Sequence, residues 1–400
     1  MPGVTLTGGA GETITLPFPP GPNAVLAQVL ADQLSTEVKN GSLKAVDYTG
    51  LPLPPVPPGT DEEVIIKANG PLFLPKSATA VVDTAHSSLL FGGGAPDETV
   101  LSGSGNLTFF TNGGSGIIVT GAGNNTIVQT GSGPWDINTG TGSDRIFIYG
   151  GTNTISAGKG HNAILLGGGN NFVNATGNDR IEAVTGSDTI AASGDGRVQV
   201  QGLKANITFI GGDQAATVLG GMGSETVFAT AGGYFRGGTA GNNLIYGGDG
   251  PTTIVGGGNG DQLYATGDDR TKIIAGVGNE TLDATLSTGN NKLYAGSGKD
   301  LLAGGFGNDT LTAGTGSATM QGGAGSDVFR FIKGDMAHVT IVDFSSLDGD
   351  KVQLTGYGRN EVNYALQHAQ VGATGVTITL TDDTKITFAN VTGLSKTSFT

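Results

Sequence analysis

The sequence predicts an all-β fold, a parallel β-solenoid of nine-residue glycine-rich repeats with a short helix-containing N-terminal cap and a β-rich C-terminal cap. Three observations carry this expectation. Glycine supplies 73 of 400 residues against 6% aromatic and 14% charged residues, so large side chains do not build the core. Nonapeptides recur in phase, as in GGDQAATVL, GGMGSETVF, ATAGGYFRG, GTAGNNLIY, GGDGPTTIV and GGGNGDQLY from Gly211 to Tyr264, and a fixed short period marks a solenoid. The eighth position of the unit is apolar with one exception, Arg236. An apolar fraction of 37% is too high for a disordered chain, and in-phase apolar positions argue against a flexible glycine linker.

Residues 1–75 read as the N-terminal cap. Pro22 to Asn40 places Val25, Leu26, Val29, Leu30, Leu34 and Val38 at helical spacing, with Pro near its start and Asn40-Gly41 at its end, so an amphipathic helix is expected there. Leu51 to Pro58 (LPLPPVPP) reads as polyproline II, serving as a spacer or as a ligand for an aromatic groove. Glu63 to Lys67 and Thr79 to Asp83 read as strands leading into the repeats.

Residues 76–330 read as the solenoid. Each unit joins a Gly/Asn/Asp-rich half, suited to a turn, to a Thr/Ile/Leu/Val half suited to a strand. One inward residue per unit stacks into a column that includes Ile146, Ile164, Val218, Ile254, Leu293, Leu311 and Phe329. Two units make one coil, giving roughly 13 coils between about Ala95 and Arg330 on strand spacing and repeat length. Residues 331–400 lose the glycine period, and Val339 to Phe344, Lys351 to Leu354, Val376 to Leu380 and Lys385 to Phe388 read as strands of a C-terminal β cap.

The formal net charge of −14 opposes nucleic acid and anionic membranes and favours cations as small partners. The absence of Cys excludes disulfides and thiolate zinc sites. No run of apolar residues is long enough for a membrane span, and the first residues lack the pattern of a classical signal peptide. The four histidines are followed by Ser, Asn, Val and Ala, so H-E-x-x-H is absent, as are G-x-S-x-G and the Walker sequence. Asp144, Asp179 and Asp188, with Arg145 and Arg180 nearby, are the residues a carbohydrate-active β-helix would use. Turn formation explains them more simply, and no enzyme is expected.

Gly304 to Thr312 and Gly322 to Arg330 fit G-G-x-G-x-D-x-apolar-x in full. This stretch resembles the RTX family of hemolysin-type calcium-binding repeats, whose fold is a parallel β-roll. The resemblance implies Ca²⁺ held between glycine-rich turns one coil apart, by backbone carbonyls and Asp carboxylates, which suits a hard cation with six to eight oxygen ligands. Carried over to this chain, it points to Gly305, Gly307 and Asp309 with Gly323, Gly325 and Asp327. Asp309 and Asp327 stand 18 residues apart, on one edge of successive coils. Asp300 lies on the opposite edge, where Ala318 follows it, and Asp343 and Asp350 are further candidates for a terminal site. Elsewhere the sixth position is often Asn, which supplies a carbonyl without charge, so most coils are expected to bind calcium poorly.

The tail, with Asp327-Val-Phe-Arg-Phe, Ile341-Val-Asp343-Phe344 and Asp350-Lys-Val-Gln-Leu354, resembles the segment that closes RTX rolls in secreted bacterial proteins. That implies type I export through a C-terminal signal and an extracellular or cell-surface location. The expected role is a calcium-binding structural or adhesive protein of a matrix, surface layer or filament. Self-association is expected, and the alternative is a polysaccharide-binding or polysaccharide-modifying β-helix.

Overall fold

A computed structural model describes residues 3–8 and 11–400. The chain is an all-β parallel solenoid of about 17 turns, more than the repeat blocks alone suggest because parallel pairing already begins at Leu43. Residues 1–200 and 201–400 form two compact units. In each, a coil contributes one strand to each of two parallel sheets, here sheet 1 and sheet 2.

In residues 1–200, β1 (Gly3–Thr7) and β2 (Thr13–Pro17) form an antiparallel hairpin. They precede α1 (Pro22–Asn40), which has Pro in its first turn and ends on Gly41 in the left-handed region at φ 79°. The hairpin and α1 cover the outer face of sheet 1, burying Ile65, Ala80, Val82, Leu101 and Val119. The helix turns Ala27, Ala31 and Leu34 fully inward, while Val25 and Val29 remain exposed. Small alanines let the helix backbone approach the sheet closely, and Leu26, Leu30 and Val38 of the expected stripe pack against the same core, so only the Val25 and Val29 side of the stripe lies outside the buried face.

β3 (Leu43–Tyr48) and β4 (Asp61–Ile66) are parallel neighbours in sheet 1, with Leu43 opposite Asp61. The Pro-rich residues 51–58 therefore occupy the rest of one coil, without regular secondary structure. Sheet 2 begins at β5 (Gly70–Phe73), which pairs with Ser87–Phe91. From there the 18-residue register repeats, as in Ile146 opposite Ile164 and Ile155 opposite Val173. Alternation does the sorting: in Arg145–Ile148 the second and fourth residues are buried while Arg145 is exposed.

Residues 201–400 are wound in the same way, with Val227, Ile245, Leu263, Leu282, Leu302 and Met320 fully buried in sheet 1. The exception at Arg236 resolves into a bulge. The register shifts between Ala231 and Gly233, so Phe235 faces Val218 and Ile254 and is fully buried, whereas Arg236 is exposed. Parallel strands persist to the end of the unit: Val328–Ile332 pairs with Lys351–Thr355, and His338–Ile341 with Lys385–Ala389. The antiparallel strand Gly375–Thr379, helix α2 (Glu361–Gln367) and the Thr400 amide bonded to the Val352 carbonyl close this end.

Candidate metal centre

The repeat places a polar side chain at the mouth of most strands, two residues before the buried apolar position and on the same inward side. At the edge leading into sheet 2 of residues 201–400 these side chains are Asn291, Asp309, Asp327 and Asp350, all buried. They form a ladder. The backbone N–H of each donates to the side chain of the next coil: Asn291 to Asp309 Oδ1 at 2.6 Å, Asp309 to Asp327 Oδ1 at 2.8 Å, and Asp327 to Asp350 Oδ1 at 3.0 Å.

The second oxygens differ. Asp350 Oδ2 accepts from the Ser345 N–H at 2.9 Å, but Asp309 Oδ2 and Asp327 Oδ2 are buried with no hydrogen-bond partner. They lean over the first glycine of each motif, where a Cβ on Gly304 or Gly322 would strike the carboxylate. The following glycines stack carbonyl over backbone: a Cβ at Gly323 would meet the Gly305 carbonyl, and one at Gly325 the Gly307 carbonyl. Gly305 and Gly323, at φ 112° and 94°, also need the left-handed region.

Burial raises Asp309 to about 7, helped by the Asp327 charge and opposed by the Asn291 amide. It raises Asp327 to about 6, opposed by the Asp309 N–H, with Asp350 and Asp343 adding repulsion. No cationic side chain compensates them, since the ion pairs among the described residues are those of Lys67 with Glu12 and Asp47. Orphaned carboxylate oxygens beside stacked glycine carbonyls fit an oxygen-seeking cation. Among the described residues no three Asp, Glu, His or Cys side chains converge on one point, so what this edge offers a cation is paired carboxylates and main-chain carbonyls. Such a set suits calcium rather than a transition metal.

Asp343 plays another part. Its two oxygens accept from the Gly322 and Gly323 N–H groups, both at 2.9 Å, and so clamp the turn. Asp300 accepts from Glu280 N–H at 3.0 Å and Gly296 N–H at 2.9 Å. Ala318 does face it on one side, but on the other it stacks on Glu280, which follows Asp261 on the same edge. Both Glu280 oxygens are buried and unpartnered, and burial together with Asp300 and Asp261 raises this carboxyl above its usual range. Counting by 18 misses this run, because Glu280 and Asp300 are 20 residues apart. The signal lay in the longer turns of this stretch.

In residues 1–200, Asp144 lies between Asn125 and Asn162 in an equivalent ladder, with Asp179 after Asn162. Asp188 belongs to the other edge, bonded to Asn171. All three carboxylates point inward while Arg145 and Arg180 are exposed, so they do not form the shared outer face that sugar chemistry would require.

A family model described as the RTX calcium-binding nonapeptide repeat matches residues 138–173, 173–195 and 274–311, in four copies. The matches reach well upstream of the two complete motifs, into the Asn-rich coils. A search of curated proteins found no match. Calcium is the cation that such repeats bind, and this chain carries RTX calcium-binding repeats.

Proposed function

We propose that the chain is a secreted calcium-binding structural or adhesive repeat protein, acting in an extracellular matrix, a surface layer or a filament at the cell surface. The observation that carries this reading is the Asp309–Asp327 column, where buried uncompensated carboxylates meet glycine carbonyls at the coil edge. Calcium there would tie successive turns together and stiffen the coils outside a cell, where it is abundant. The role is mechanical rather than catalytic, and export uses a type I route that reads the C-terminal segment.

Side-by-side assembly is favoured over end-to-end stacking. The Pro-rich residues 51–58 precede β5, and proline donates no hydrogen bond that would extend a sheet. At the other end of the chain the Gly375–Thr379 strand and the tail cover the last strands. Electron microscopy of the purified chain with and without calcium tests this: ordered layers or bundles that require calcium are expected, and dispersed single particles at high concentration in calcium would refute it.

A further inference from the structure

We propose that the outer face of sheet 2 in residues 201–400 is a docking surface for an acidic polysaccharide. Two residues of each strand alternate away from the core column, in one row from Thr217 to Lys351 and another from Leu219 to Gln353, and all but the buried Thr312 are at least partly exposed. These rows carry Arg236, Lys272, Lys292, Arg330 and Lys351 and contain no carboxylate, in a chain whose net charge is −14. Lys272 and Lys292 are directly paired on adjacent strands, an arrangement that repels unless an anion lies between them. No carboxylate oxygen lies within 4.0 Å of any of the five among the described residues. Lys351 is anchored to the Thr397 carbonyl and Arg330 to Gln353 Oε1, which leaves Arg236, Lys272 and Lys292 as the open cations.

Charge density selects the partner. Five cations over eight strands spaced about 4.8 Å apart amount to roughly one per 7 Å, far sparser than the phosphates of duplex DNA at about one per 1.7 Å. The remaining acidic surface repels such a dense polyanion. A glycan with one carboxylate per disaccharide is charged sparsely and brings many hydroxyls, which Thr253, Thr310 and the Tyr294 phenol can meet. Tyr294 also holds the Lys272 ammonium 5.3 Å from its ring centre, fixing that charge over the face. The stacked rings on the opposite sheet, Phe228, Tyr246 and Tyr264 at 5.5 and 4.5 Å, cover one another's faces and offer little to a sugar.

The surface needs only the fold, so its test is separate from that of calcium-dependent assembly. Binding of the full chain to immobilised hyaluronate is measured in calcium, with neutral dextran and duplex DNA as comparisons. The wild type is expected to bind hyaluronate and not dextran. The Lys272→Gln/Lys292→Gln variant should lose about tenfold or more in affinity and keep its thermal midpoint. A Lys204→Gln/Lys385→Gln variant, with the same charge change elsewhere on this unit, should bind as the wild type does. Unchanged binding by Lys272→Gln/Lys292→Gln, an equal loss in the second variant, equal binding to dextran, or tighter binding to duplex DNA would each overturn the proposal.

Discussion

Asp309 and Asp327 each use one oxygen and the backbone N–H in the ladder and keep one buried oxygen free. Replacing either with Asn keeps the ladder but removes a charge from the cation's donor set. Asn291 already holds the same place one coil upstream, donating to Ser287 Oγ and the Gly289 carbonyl, so the backbone tolerates the change. Asp309→Asn and Asp327→Asn should lower calcium affinity by at least about tenfold, or 1.4 kcal/mol, in calorimetric titration. Asp144→Asn, flanked by two asparagines, should change it far less. Equal losses in all three would sink the pairing of carboxylates one coil apart.

A second residue-scale test concerns Glu98, fully buried with both oxygens unpartnered and raised by burial to about 8. Below pH 4.5 the folded and unfolded chains are both protonated and the group has no effect. Between about 4.5 and 8 only the folded state keeps the proton, so stability falls as pH rises and levels off above 8. Glu98→Gln removes this dependence and should stabilise residues 1–200 by a few kcal/mol at pH 9, since each tenfold difference in proton affinity between the two states is worth about 1.4 kcal/mol, with little change at pH 4. Trp135, the single tryptophan, is buried in this unit, so its fluorescence during urea unfolding reads the effect. A gain of the same size at pH 4 would show that packing, not ionisation, is responsible.

At the scale of the element, alternation and period were enough to read the coils. A strand buries every second residue, and the inward column emerges from the apolar eighth position of the repeat. What eluded reading were places where the turn length changes. The six nonapeptides after Gly211 count evenly, yet a bulge between Ala231 and Gly233 hands the core position to Phe235. Likewise the 20-residue step from Glu280 to Asp300 hid a run of three carboxylates, whereas the 18-residue step from Asp309 to Asp327 was legible because both motifs are complete. The parallel ladder from Leu43 was hidden by a Pro-rich coil that lacks the glycine signature. The bulge gives a direct test. Phe235→Ala should cost about 3–5 kcal/mol by opening a cavity, while Arg236→Ala should stay within about 0.5 kcal/mol. Chemical denaturation of both variants decides it, and the reverse order of losses would restore Arg236 to the column.

At the scale of the whole molecule, charge placement makes the two units unequal. Residues 201–400 hold Asp309, Asp327 and Asp350 in consecutive rungs at one edge and Asp261, Glu280 and Asp300 at the other. Residues 1–200 dilute their acids with asparagine: Asp144 and Asp179 are separated by Asn162, and Asp188 follows Asn153 and Asn171. Asparagine amides donate to one oxygen of each carboxylate, as where Asn162 Nδ2 donates to Asp179 at 2.7 Å. Asp144 and Asp188 keep a second buried oxygen free, but the rungs beside them are neutral, so a cation meets less negative charge and gains less there. A ligand that binds only the folded state stabilises it by about 2.7 kcal/mol at a hundredfold excess over Kd. Hydrogen exchange in calcium and in chelator should therefore show the larger gain of protection in residues 201–400, centred on the amides of Asn291, Asp309 and Asp327. Residues 1–200 should retain most of their protection in chelator, because amide ladders and the α1 cover hold them without metal. An equal gain in both units would mean that asparagine rungs bind calcium as well as aspartate rungs do, and that charge is not what selects the sites.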